Sequence, residues 1–390
     1  MKKEAALVLS LGLLGAVAFA QSSGPSLEFH GYMNYGMSLV NNGSGTNLLA
    51  YGSDSGIDVG RFQLDATYTA DSWGLVFRLR DDSPSMSGPA SQVYFRRAYG
   101  WVDILNGLIT LQAGVLGDYS WDSNNFQHFG TLDGDMGVQV QLKPLIGLNF
   151  GAFLPTALNG TFENPFENSN GTPGAWNNMV VGGRYDFMDV GYLSAGYSFG
   201  GEGNINAIMT TLTPYLWAGF GYTGSDQLTA KAELAYTNSS VAGNNYFYAD
   251  EQLGYTSGAT NLVLYAEEQL NRKALDGTSA ILHLQPSIDY TYDIFDIGAF
   301  FSFLTDGTSS GYGPGAWLKT NVAKSTSVVL GAEYDLGSAR AATSQPGSYW
   351  GRYMYWTGNY DPFGGPFQPN ALATQSNNEF RAYLDFVWSF

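Results

Sequence analysis

From Leu27 the odd positions read Leu27, Phe29, Gly31, Met33, Tyr35, Met37 and Leu39, while the even ones read Glu28, His30, Tyr32, Asn34, Gly36 and Ser38. Successive side chains leave a β-strand on opposite faces, so this spacing predicts a strand with one apolar and one polar face. The period recurs in Phe62, Leu64, Ala66 and Tyr68 against Arg61, Gln63, Asp65 and Thr67, and again in Trp73, Leu75, Phe77 and Leu79 against Gly74, Val76, Arg78 and Arg80. Only Ala70, Asp71 and Ser72 separate these two runs, which predicts a tight turn. Similar segments begin near Ser91, Leu108, Gly134, Leu148, Asn177, Gly191, Thr211, Leu228, Asn245, Asn261, Ser279, Ile294, Gly315, Thr326 and Asn378, bringing the predicted strands to eighteen, with sixteen as the nearest alternative.

The connections between them take turns in length. Thr69 to Ser72, Leu105 to Gly107, Lys143 to Gly147, Phe187 to Val190, Thr223 to Asp226, Tyr292 to Phe295 and Ala323 to Ser325 are short; Val40 to Asp58, Gly117 to Asp133, Thr156 to Trp176 and Ser338 to Asn377 are long. Turns at one end and loops at the other are the signature of an up-and-down transmembrane β-barrel, whose spanning strands need about 9 to 11 residues. Tyr68, Trp73, Tyr185, Phe187, Tyr222, Tyr290 and Tyr292 lie near strand ends, where interfacial aromatic girdles sit. The opposite faces are polar, as with Gln139, Gln141 and Lys143 against Val138, Val140 and Leu142, whereas a soluble sandwich would turn one of its faces into a core. The fold class is therefore all-β, a transmembrane antiparallel barrel.

Composition narrows the function. Charged residues make up only 13% of the chain, against roughly a quarter in soluble proteins, and Gly occurs 50 times. With 34 acidic residues against 17 Lys and Arg, the net charge of -17 argues against a nucleic-acid partner. There is no cysteine, which excludes disulfides and thiolate chemistry. His30, His128 and His283 show no metal or triad spacing, and no cofactor motif stands out. At the start, Lys2 and Lys3 precede an uncharged apolar run from Ala5 to Phe19, and small residues lead up to Gln21; residues 1–20 read as a secretory signal peptide, leaving 21–390 as the barrel.

The last segment alternates Phe380, Ala382, Leu384, Phe386, Trp388 and the terminal Phe390 with Glu379, Arg381, Tyr383, Asp385, Val387 and Ser389. A terminal Phe closing such an alternation resembles the assembly signal of bacterial outer-membrane barrels, and Phe386, Trp388 and Phe390 are the positions that would carry it. Leu27 to Tyr32, with its Phe-His-Gly-Tyr, resembles the first strand of porins, including the maltoporin family, and Arg96-Arg97-Ala98-Tyr99 resembles a porin strand. The resemblance implies a Gram-negative-type outer-membrane location, a water-filled channel for small hydrophilic solutes and ions, a homotrimer, and contact with lipid and the barrel assembly machinery.

It also implies a constriction built by the third outside loop, 117–133, which brings Asp118, Asp122 and Asp133. The inner positions of the second to fourth strands supply Arg61, Arg78, Arg80 and one of Arg96 and Arg97, with Arg381 from the closing strand. Two consecutive arginines cannot both face inward without a bulge. Pairing of these arginines with neighbours such as Asp65 and Asp82 is the structural alternative. Inner strand positions nearly cancel, nine basic against ten acidic, so the loop would tip the pore toward cations. Two other functions stay open: a sugar-selective channel with an aromatic track, for which Tyr32, Tyr94, Trp101, Trp121, Trp317 and Trp356 are candidates, and an adhesin using the loop 338–377. An enzyme barrel needs an outward-facing Ser and His set, which is not seen.

Overall fold

The computed structural model describes residues 25–41, 45–50, 61–81, 93–116, 136–158, 161–162, 179–187, 190–199, 215–238, 245–270, 280–305, 310–337, 339–341, 372–374 and 378–390. The signal-peptide assignment, the loop 117–133 with Asp118, Asp122 and Asp133, and most of 338–377 lie outside these residues.

Eighteen strands pair in a ring. They are β1 (Ser26–Asn41), β2 (Arg61–Thr69), β3 (Trp73–Asp81), β4 (Tyr94–Ile104), β5 (Ile109–Val115), β6 (Met136–Leu145), β7 (Leu148–Leu158), β8 (Val180–Asp186) and β9 (Gly191–Ser198). The second half comprises β10 (Tyr215–Tyr222), β11 (Leu228–Asn238), β12 (Asn245–Ser257), β13 (Thr260–Leu270), β14 (Ala280–Tyr292), β15 (Phe295–Thr305), β16 (Ser310–Ala323), β17 (Thr326–Gly337) and β18 (Glu379–Ser389). Each pairs antiparallel with its sequence neighbours, and β18 pairs with β1 from Tyr32↔Ser389 to Asn41↔Phe380, so among the described residues the eighteen strands close on themselves. A barrel that must sit in hydrocarbon has no other way to satisfy every backbone donor and acceptor. Inside the last loop, Ala339–Ala341 pairs with Leu372–Thr374.

The period-two pattern decides which side each residue takes. On β6 Val138, Val140 and Leu142 are exposed while Gln139 and Gln141 are buried, so the apolar row faces outward and the polar row lines the lumen. The outer surface continues through Leu75, Phe77, Leu193, Phe220, Leu234, Leu264, Ile288, Ile297 and Leu330, all exposed. Aromatic residues ring the end that carries the tight turns: Tyr68 and Trp73 are 5.0 Å apart, and Tyr185 meets Phe187 edge-on at 4.8 Å. Exposed Tyr255, Tyr290 and Tyr292 continue this girdle.

β16 begins at Ser310, five residues before the start that periodicity suggested near Gly315. Its inner positions Gly311, Gly313 and Gly315 carry no side chain, so the alternation is invisible there in the sequence. The space is filled from the preceding strand, β15: a Cβ on Gly315 would fall 2.2 Å from the Phe300 ring. Rings lie over glycines elsewhere on the inner wall too, with Trp217 against Gly196, Tyr192 against Gly221 and Trp317 against Gly298.

Candidate functional site

The inner wall over β1 to β4 is built from one cross-strand row, His30, Asp65, Arg78 and Arg97, each directly opposite the next. Arg78 Nε donates to Asp65 Oδ1 in a short ion pair whose side chains are only 15% and 20% exposed. Gln63 Nε2 donates to Asp65 Oδ2 at 2.6 Å, so the carboxylate is held from two sides. Arg80 is buried opposite Gln63.

Register explains the consecutive arginines. Arg78 pairs with Arg97 but Leu79 with Phe95, which leaves Arg96 as the extra residue of a β-bulge. The bulge keeps Phe95 on the outer face beside exposed Phe77, 6.5 Å ring to ring, and Arg97 on the inner row. Arg97 is thus the member of the pair that shares the inner row with Arg78. Arg61 takes the inner register opposite Asn34, and Arg381 takes it opposite Glu333 of β17.

Next to this row lies a neutral and mixed stretch. Lys143 Nζ donates to Thr110 Oγ1 at 3.0 Å, Thr110 donates to Asp103, and Gln139 Nε2 donates to Gln112 Oε1 at 2.6 Å. On β8 Arg184 binds Asp186 at 2.7 Å and stacks over Tyr192, 4.0 Å from the ring centroid. On the far side His283 Nε2 and Ser302 Oγ are 3.0 Å apart, with Tyr265 edge-on to the imidazole. His283 and His30 sit on different strands, and His128 lies outside the described residues.

One expectation needs correction. The near-balance of inner charges omitted Asp103, Asp250, Glu267 and Asp296, all on inner register positions, while Asp82 lies outside the described residues. The strand walls are therefore acidic before any loop is counted. Among the ring candidates for a sugar track, Trp317 is buried and laid over Gly298, and Trp101 lies over Gly74.

Each inward arginine stands on a strand that is bonded on both sides, and its height is set by the register. No family model and no curated protein sequence matches the chain. Solved structures do. The anion-selective porin of Comamonas acidovorans matches with a TM-score of 0.54 at 13% identity, covering 94% of this chain and 100% of that one. OpdL of Pseudomonas aeruginosa matches with a TM-score of 0.53 at 9% identity, covering 94% and 99%. OccK11 (OpdR) of the same organism gives 0.51 at 10% identity, covering 93% and 96%.

The fold is that of the bacterial outer-membrane porins.

In this porin-like barrel the aromatic girdle and apolar band lie on the outer face, and the inner row of Asp65, Arg78 and Arg97 lies midway along its strands. The identities are low enough that likeness extends to the fold alone.

Proposed function

We propose that the protein forms a water-filled channel through which small hydrophilic solutes and ions diffuse passively. The observation that carries this reading is the closed ring of eighteen strands with a lipid-compatible outer face and a polar, charged inner face. An apolar exterior and a polar lumen are what such barrels need to conduct. We assign the basic side of the constriction to Arg78, Arg80 and Arg97, with Arg61 and Arg381 at inner positions farther along the wall, opposite Asn34 and Val40 of β1, and Arg96 as the bulge residue that aims Arg97. Asp118, Asp122 and Asp133 are assigned to the loop that narrows the lumen. A transverse field between opposite charges would order water and orient polar solutes.

Phe386, Trp388 and Phe390, on the outer face of the closing strand, are assigned to barrel assembly, and the working form to a homotrimer. Liposome swelling tests the function: protein-bearing vesicles should swell in small sugars at rates that fall with solute size. Vesicles that stay impermeable with folded protein present would refute it. A sugar that blocks the current at low concentration would favour the sugar-selective alternative.

A further inference from the structure

The inner wall carries its charges unevenly around the ring. Glu233 on β11 stands opposite Asp250 on β12, and Asp250 opposite Glu267 on β13, three acidic residues in one row on adjacent strands. His283 of β14 ends the row opposite Glu267. Neighbouring strands are about 4.8 Å apart and like charges directly opposite one another weaken a sheet, so strand pairing alone would not select this row.

In a ring of eighteen, strands nine places apart face each other across the lumen. Hence β2, β3 and β4, which bear Asp65, Arg78 and Arg97, face β11, β12 and β13. The heights agree as well. Arg78 lies five residues into β3 from girdle residue Trp73, and Asp250 lies five residues from girdle residue Tyr255. Glu233 and Glu267 lie five residues from Leu228 and Leu262, the two partners of Tyr255.

We propose that the row Glu233, Asp250 and Glu267 is the acidic side of the constriction and makes the pore select solutes that carry a positively charged group. This rests on the channel reading, and it assigns the acidic side to the strands themselves in addition to any loop. Cations pass along β11 to β13, and the anionic end of a zwitterion is drawn to the arginines opposite. Acidic rows favour cations in this way, and low-dielectric walls focus the field. Glu233 is buried, so it acts through its field and not by contact.

The test is the zero-current potential of the full-length protein in a planar bilayer, across a potassium chloride gradient and again with tetramethylammonium chloride. The variant is Glu233→Gln, Asp250→Asn, Glu267→Gln, with heat-modifiability as the readout of folding. The wild type should be cation-selective at low salt, and the triple variant should lose most of that preference while still assembling. Asp250→Asn alone should shift the potential the same way by a smaller step, which keeps the test decisive if the triple variant does not assemble. A conducting variant with unchanged potential, or an anion-selective wild type, overturns the proposal. A folded wild type that does not conduct overturns the channel reading instead.

Discussion

The ring of Phe390 lies across Gly31, where a Cβ would fall 1.9 Å from it, and the two residues exchange backbone hydrogen bonds, Gly31 N to Phe390 O at 2.8 Å and Phe390 N to Gly31 O at 3.0 Å. The last residue of the chain is thus packed on the first strand at the seam where the ring closes. Closure there removes the only edges an eighteen-strand meander has.

Deleting Phe390 should lower the amount of folded, heat-modifiable barrel in the outer membrane. Phe390→Tyr, which keeps the ring, should restore it. Equal assembly of the deletion and the wild type would remove Phe390 from the assembly role.

Arg78 and Asp65 form one unit in the inner wall. Asp65→Asn and Arg78→Gln should each cost stability, and the double variant should cost less than their sum, with a coupling of about 1 to 3 kcal/mol in a double-mutant cycle. Additive losses would mean that the pair is incidental.

Replacing both Arg78 and Arg80 with Glu should move ion selectivity further toward cations in a barrel that still assembles. Leu264→Arg, on the exposed outer face of β13, should instead destabilise the barrel by about 2 to 4 kcal/mol, the cost of a basic side chain near the bilayer midplane. Reversed outcomes would mean that the inner and outer faces are exchanged.

Removing Arg96 should leave the faces of β4 unchanged, because the bulge is one residue long and Phe95 and Tyr94 already pair with Leu79 and Arg80. The shortened strand should assemble and conduct. Loss of the folded barrel would show that the bulge is needed for more than aiming Arg97.

The strands were legible because a barrel with lipid outside and water inside writes its two faces into alternate residues, as in Val138, Gln139, Val140 and Gln141. Legibility failed where a face has no side chain, which is why β16 reads five residues late through Gly311, Gly313 and Gly315. The need for a bulge at Arg96 and Arg97 follows from sequence, but which of the two shares the row with Arg78 depends on the pairing with β3. The row of Glu233, Asp250 and Glu267 escaped because its members are 17 residues apart in the chain and become neighbours only through register. That it faces the arginines is a property of ring closure, which no local pattern encodes.

Single-channel recording of the purified, folded protein in a planar bilayer tests the central claim most directly. Insertion should give discrete conductance steps that grow with salt concentration, because ions cross a continuous aqueous lumen. Folded, heat-modifiable protein that inserts yet gives no steps would contradict the account.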